Sequence, residues 1–160
     1  MLSGTVRDNC NWLPRLGFTL PLQDKKAAMR YFGFGPMESY CDSMHHARLD
    51  WHETTAEREY VPYVYPQEHG NHTSVRKVEI GNRLGFACVD GMDINLSLYT
   101  AQQLAEARHT DEIGPSAGSN LRIDYKVSGL GSHSCGPALD VPYRLNEKKI
   151  RFAFTMYLPE

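Results

Sequence analysis

The chain has 160 residues, enough for one domain around a single core and too few for two comfortable ones. Hydrophobic residues make up 41% and charged residues 22%, the ordinary globular balance. A net charge of −2 with no basic cluster argues against nucleic acid as a partner. No apolar run approaches the ~20 residues that cross a bilayer, and "MLSGTVRDNCNW" lacks a signal-peptide core, so no membrane partner is expected.

In chain order, strands are expected over 15–22 and 28–34. The second runs into "FGFGP", which no helix follows, so it is not a nucleotide loop. A further strand over 60–65 leads to "YPQEHG", a turn set by Pro66 and Gly70 that carries Glu68 and His69 at its tip. Over 75–81, parity puts Arg76 on one face with Val78 and Ile80, where an inward guanidinium needs a carboxylate from Glu68, Glu38 or Asp42. The alternative is a strand-end arginine reaching water.

Beyond a strand over 84–89, "MDINLSL" alternates with Met92, Ile94, Leu96 and Leu98 inward. Thr100 followed by Gln103 reads as a capping box opening a two-turn helix, "AQQLAEARH", with Leu104 facing in. "NLRIDYKV" places Leu121, Ile123, Tyr125 and Val127 on one face, against Arg122, Asp124 and Lys126. "KIRFAFTMYL" does the same with Ile150, Phe152, Phe154, Met156 and Leu158. Short alternating strands separated by Gly and Pro turns predict an all-β antiparallel sandwich or barrel with one decorating helix, as a single domain over 1–160.

The side chains that carry chemistry are dispersed. The seven histidines include His45-His46 and the pair His69/His72, but none sits in a helical HExxH setting, so no metal is expected. Cys135 lies near His133 among Gly129, Gly131 and Gly136, which favours a small residue in a tight turn over a thiol nucleophile. Cys10, Cys41, Cys88 and Cys135 are widely spaced; free thiols in a reducing compartment, the cytoplasm, are the expectation, with bridges the alternative.

Several segments resemble one family in its own order. "YFGFGPMESYCD" (31–42), "YVYPQEHGNHTSVR" (63–76), "YTAQQLAEARHT" (99–110) and "GLGSHSCGP" followed by "YRL" are similar to motifs in the last domain of the large β-galactosidases of glycoside hydrolase family 2. "LPRLG" (13–17) fits that domain's entrance strand. The resemblance implies a galactose-mutarotase-like supersandwich, present in part, from the C-terminus of an enzyme that hydrolyses terminal β-galactosides such as lactose. It implies that the catalytic carboxylates lie in a separate barrel domain, the partner, and that this stretch closes one side of the sugar pocket. No catalytic residue and no cofactor is then expected in the chain itself. Glu68, His69, Arg76 and Phe86 are the implied carbohydrate-contacting positions, with His69 where the family prefers Asn and Phe86 where some members stack a Trp on sugar. Gly33, Gly35, Pro36 and Glu38 are the implied loop-shaping set, and Glu68 is expected to pair with Arg76. The family domain is longer, so the chain is expected to be a fragment that self-associates through unpaired edges.

Two other functions remain open at the level of sequence. A free-standing carbohydrate-binding module would use Trp51, Tyr63 and Tyr65 as its aromatic platform. An aldose epimerase would use Glu68 and His69 as base and acid, a reading that rests on fold analogy alone.

Overall fold

The computed structural model describes residues 1–131 and 136–159. Among the described residues nine strands are present: β1 (Leu2–Thr5), β2 (Arg15–Leu22), β3 (Ala28–Gly35), β4 (Arg48–Thr55), β5 (Asn71–Ile80), β6 (Leu84–Ser97), β7 (Ser119–Val127), β8 (Lys149–Phe152) and β9 (Thr155–Tyr157). Seven form an antiparallel sheet in the order β2-β7-β6-β5-β3-β4, with β9 also paired to β6. A two-stranded ladder, β1-β8, packs against this sheet; its Phe152 joins the core and Leu2 packs on the edge of it. Tyr31, Val75, Val78, Phe86, Met92, Ile94, Leu96, Leu121 and Ile123 fill the interior. The fold is the all-β antiparallel sandwich that the alternation implies.

The helix α1 (Ala101–Glu106) carries the expected cap. Gln103 N donates to Thr100 Oγ1 at 3.1 Å, and Thr100 N donates to Gln103 Oε1 at 3.0 Å. Leu104 is its buried residue. The helix is shorter than the "AQQLAEARH" pattern, because Arg108 and His109 turn away to meet Glu112.

The departures have local causes. Residues 60–65 are not a strand: Pro62 has no N–H for a ladder, and Tyr63 N turns back to Val61 O at 2.9 Å. The strand β4 escapes notice because it is an edge, paired to β3 alone, and its "RLDWHETT" has no sustained apolar face. What reads as two strands over 84–98 is one long β6, bent at Gly91, whose φ of +86° favours glycine. Across from it Ser74 also has a positive φ, and the β5–β6 register slips on both sides of Val75. That slip reverses parity along β5: Val75 is buried with Val78, and Arg76 is exposed, not inward.

"KIRFAFTMYL" is likewise two strands. Ile150 and Phe152 face the core from β8, after which the chain changes partner and β9 pairs with β6. Phe154 bridges the two, packing edge-on against Phe18 and Phe86, while Met156 is 64% exposed. The inward stripe therefore holds for its first half only.

Candidate functional site

The loops that carry the sequence motifs meet at one rim of the main sheet. The segment 36–46 follows β3, the segment 60–70 precedes β5, and 127–131 leaves β7. Glu38 joins the first two. One of its carboxylate oxygens accepts from the Tyr63 hydroxyl and the other from Gly70 N at 2.7 Å. Ser39 continues the seam: its N–H donates to Asn71 O at 2.6 Å, its carbonyl accepts from Asn71 Nδ2 at 3.0 Å, and its hydroxyl accepts from Thr73 N at 3.0 Å. Cys41 Sγ reaches Val127 O at 3.6 Å and Tyr143 O at 3.4 Å, tying the first segment to the third.

Glu68 does not pair with Arg76. It is clamped between two other arginines: Arg15 Nη1 lies 3.1 Å from both of its oxygens, and Arg122 Nη1 lies 3.0 and 3.1 Å from them. Arg15 also pairs through Nη2 with Asp124, its neighbour on β7. The result is a chain of alternating charge, Arg122–Glu68–Arg15–Asp124, across β2, β7 and the loop tip. Arg122 is 3% exposed, and burial pulls its guanidinium below its ordinary value against the support of Glu68. Burial likewise lifts the Asp124 carboxyl, opposed by Arg15. Behind it, Asp93 sits opposite Asp124 in the β6–β7 register and accepts from Val127 N at 2.9 Å and Ser74 N at 3.4 Å. Burial pushes its carboxyl up to about 7 despite those two donors.

The other candidate positions separate into supports and surface groups. His69 is 3% exposed; its Nδ1 donates to Gln67 O at 2.8 Å and its ring meets Tyr60 edge-on. His72 belongs to a different buried chain, with Nε2 2.7 Å from Glu59 Oε2 and Nδ1 2.9 Å from the Tyr31 hydroxyl. Among the described residues no group of three or more His, Cys, Asp or Glu is placed to hold a metal ion. Phe86 is 1% exposed in the core, so it has no free face for a sugar and is corrected from a contact to a core residue. Gly33, Gly35 and Pro36 form the end of β3 and its exit, with a cis Gly35–Pro36 bond. Trp51 is partly exposed on edge strand β4, but the Arg30 guanidinium lies 4.4 Å over its ring. Tyr65 and Val64 are open to solvent, whereas Tyr63 is held by Glu38. The expectation for Cys135 and His133 falls outside the described residues.

An acid/base role for adjacent Glu68 and His69 finds no support in this geometry: the carboxylate is bound by two guanidiniums and the imidazole is packed against Tyr60. The sequence reading missed Arg15 and Arg122. Strand alternation sends Arg122 and Asp124 to the solvent face, but on β7 both faces are covered, and Leu121, Arg122, Ile123 and Asp124 are all buried. The available signal was the opposite charge on two strands, Arg15 and Asp124, without the means to know that they are neighbours.

These features define a β-sandwich domain whose buried charges fix a set of rim loops. The chain belongs to the β-galactosidase small-chain family, whose model matches residues 2–156. It is 40% identical over 145 residues to a β-galactosidase of Actinobacillus pleuropneumoniae and 36% identical over 148 residues to one of Staphylococcus xylosus. A third, from Kluyveromyces lactis, is 31% identical over 147 residues. The alignments cover 91%, 91% and 89% of this chain, yet only 14%, 15% and 14% of those relatives. The chain thus spans about one seventh of the length of the curated relatives it matches.

Proposed function

We propose that the chain serves as the non-catalytic, last-domain part of a β-galactosidase that hydrolyses terminal β-galactosides such as lactose, working in the cytoplasm and without a cofactor of its own. Its partner is the catalytic barrel of the same enzyme, and its contribution is a wall of the galactose pocket. The supporting observation is the Glu68 clamp: two arginines and Glu38 hold the 60–70 loop in one shape, which suits a preformed wall and leaves Glu68 no freedom for nucleophilic or acid/base work. Within this reading Glu68 and the exposed Arg76 are the groups a sugar reaches, and His69 stands behind them as a support. Self-association of the separate chain follows from its edge strands β2 and β4, each paired on one side only.

The test is a chimera in which this chain replaces the matching stretch of the Actinobacillus β-galactosidase. The chimera is expected to cleave a chromogenic β-galactoside, and the chain alone to leave it intact. Turnover by the chain alone that disappears in Glu68→Gln overturns the proposal.

A further inference from the structure

The charged groups of the rim are unevenly compensated. Glu68 and Asp124 share two arginines, but a cleft of about 460 Å³ beside them is lined by Glu38, Tyr40, Asp42, His46 and Tyr63 among others, with two carboxylates and, among the described residues, neither lysine nor arginine. Glu38 is bound by a hydroxyl and a backbone N–H, both neutral donors. Asp42 accepts from Gly131 N at 3.0 Å through Oδ2, while its Oδ1 is buried without a partner among the described residues. Its carboxylate rests on Gly129, where any side chain would strike it, so the group is held in place by the backbone. His46 does not neutralise the pair through its Nε2, which donates to the Glu38 carbonyl at 2.9 Å.

A second observation points into the same cleft. Tyr40 lines it, is 2% exposed, and its hydroxyl has no hydrogen-bond partner among the described residues. Leaving such a group unsatisfied is costly, so an occupant that supplies a partner gains by it. The phenol is held well above its ordinary value, by burial first and then by the charges of Glu68 and Glu38. Met37 and Leu130 add apolar surface to the same lining, Met37 being exposed. Two carboxylates, two phenols and this apolar surface suit an organic cation. With only two carboxylates the donor set is poor for a bound metal ion.

We infer that this cleft is the docking socket for a basic side chain of the catalytic remainder of the β-galactosidase, with Asp42 and Glu38 receiving its charge and Met37 and Leu130 forming the apolar contact beside it. The inference rests on the proposed function for the identity of the partner. The chain covers about 14% of its relative from Actinobacillus, so most of such an enzyme lies outside it and supplies the occupant. The hydrogen bonds that already hold Glu38 and Asp42 limit the ordering cost of docking.

The experiment has two arms. In the first, the chain is titrated by NMR with ethylguanidinium, the arginine side-chain mimic, and separately with galactose. Ethylguanidinium is expected to shift the Gly131 and Gly70 N–H signals, with Asp42→Asn weakening binding about tenfold and Tyr40→Phe weakening it less. No response at Gly131, a response unchanged in Asp42→Asn, or a response there to galactose overturns the inference; the last assigns the cleft to sugar. In the second arm, Asp42→Asn is placed in the chimera described above. A lower temperature of heat inactivation with an unchanged KM is expected, and an unchanged temperature overturns the docking role. If the unsubstituted chimera is itself inactive, the proposed function fails, and the guanidinium titration still judges the socket.

Discussion

Two carboxylate pairs lie side by side at the rim of this sandwich and are treated in opposite ways. Glu68 and Asp124 are locked to Arg15 and Arg122, with one arginine almost fully buried. Glu38 and Asp42 face a cleft where their donors among the described residues are a hydroxyl and two backbone N–H groups. A domain acting alone has little reason to leave two charges together without a cation, since like charges at close range repel. The compensated pair belongs to the stability of the domain, and the uncompensated pair is the one we assign to docking. The difference teaches that internal charge balance separates scaffold from surface more sharply than residue type does.

The comparison breaks most readily at its scaffold side. Arg122→Ala removes one of the two cations on Glu68 and is expected to cost about 3 kcal/mol in urea unfolding, as breaking a buried pair does. A loss no larger than that of a surface substitution would show that the clamp adds little to stability and dissolve the distinction.

Asp93, just behind the clamp, sharpens it through pH. Its folded carboxyl titrates near about 7, against an ordinary 3.8, because burial disfavours its charge. Between those values the folded chain holds a proton that the unfolded chain has released. The contribution is therefore complete below the ordinary value, falls as pH rises through the window, and is gone above about 7. Asp93→Asn is expected to flatten that slope, which reaches at most about 1.4 kcal/mol per pH unit, when urea midpoints are compared on both sides of the window. A residual slope from Asp124, also raised by burial, is expected to remain.

Smaller effects are expected on the cleft side. Tyr63→Phe takes one donor from Glu38 and should lower stability by about 1 kcal/mol, read in the same unfolding assay. Asp42→Asn keeps an acceptor for Gly131 N and relieves charge repulsion, so stability should change by no more than about 0.5 kcal/mol, or rise. A large loss in Asp42→Asn would show that the cleft is scaffold after all, and the contrast between the two pairs would fail.

How far these features could be read in advance depends on the range of the interaction involved. The capping box at Thr100 and Gln103 was legible because its partners are three residues apart. The Glu68 clamp was not, because Arg15 and Arg122 lie 53 and 54 residues away and only the β2–β7 pairing brings them together. Arg76 was misplaced for a related reason: parity counting assumes an unbroken strand, and the slips around Val75 cancel it. Phe86 shows the same limit, since its aromatic ring gives no sign of facing Phe154 and the core.

By itself the sequence determined the all-β class, the unusual backbone at Gly70, the short capped helix and membership of the β-galactosidase small-chain family. These follow from period-two alternation, from Pro and Gly backbone limits and from contiguous motifs, all of which act over a few residues. Tertiary structure alone decided which arginines meet Glu68, that Arg76 faces out, and that Glu38 and Asp42 share a cleft with no lysine or arginine among the described residues. Those depend on strand order and bulges, because the energy of a buried charge is set by neighbours that folding selects from anywhere along the chain.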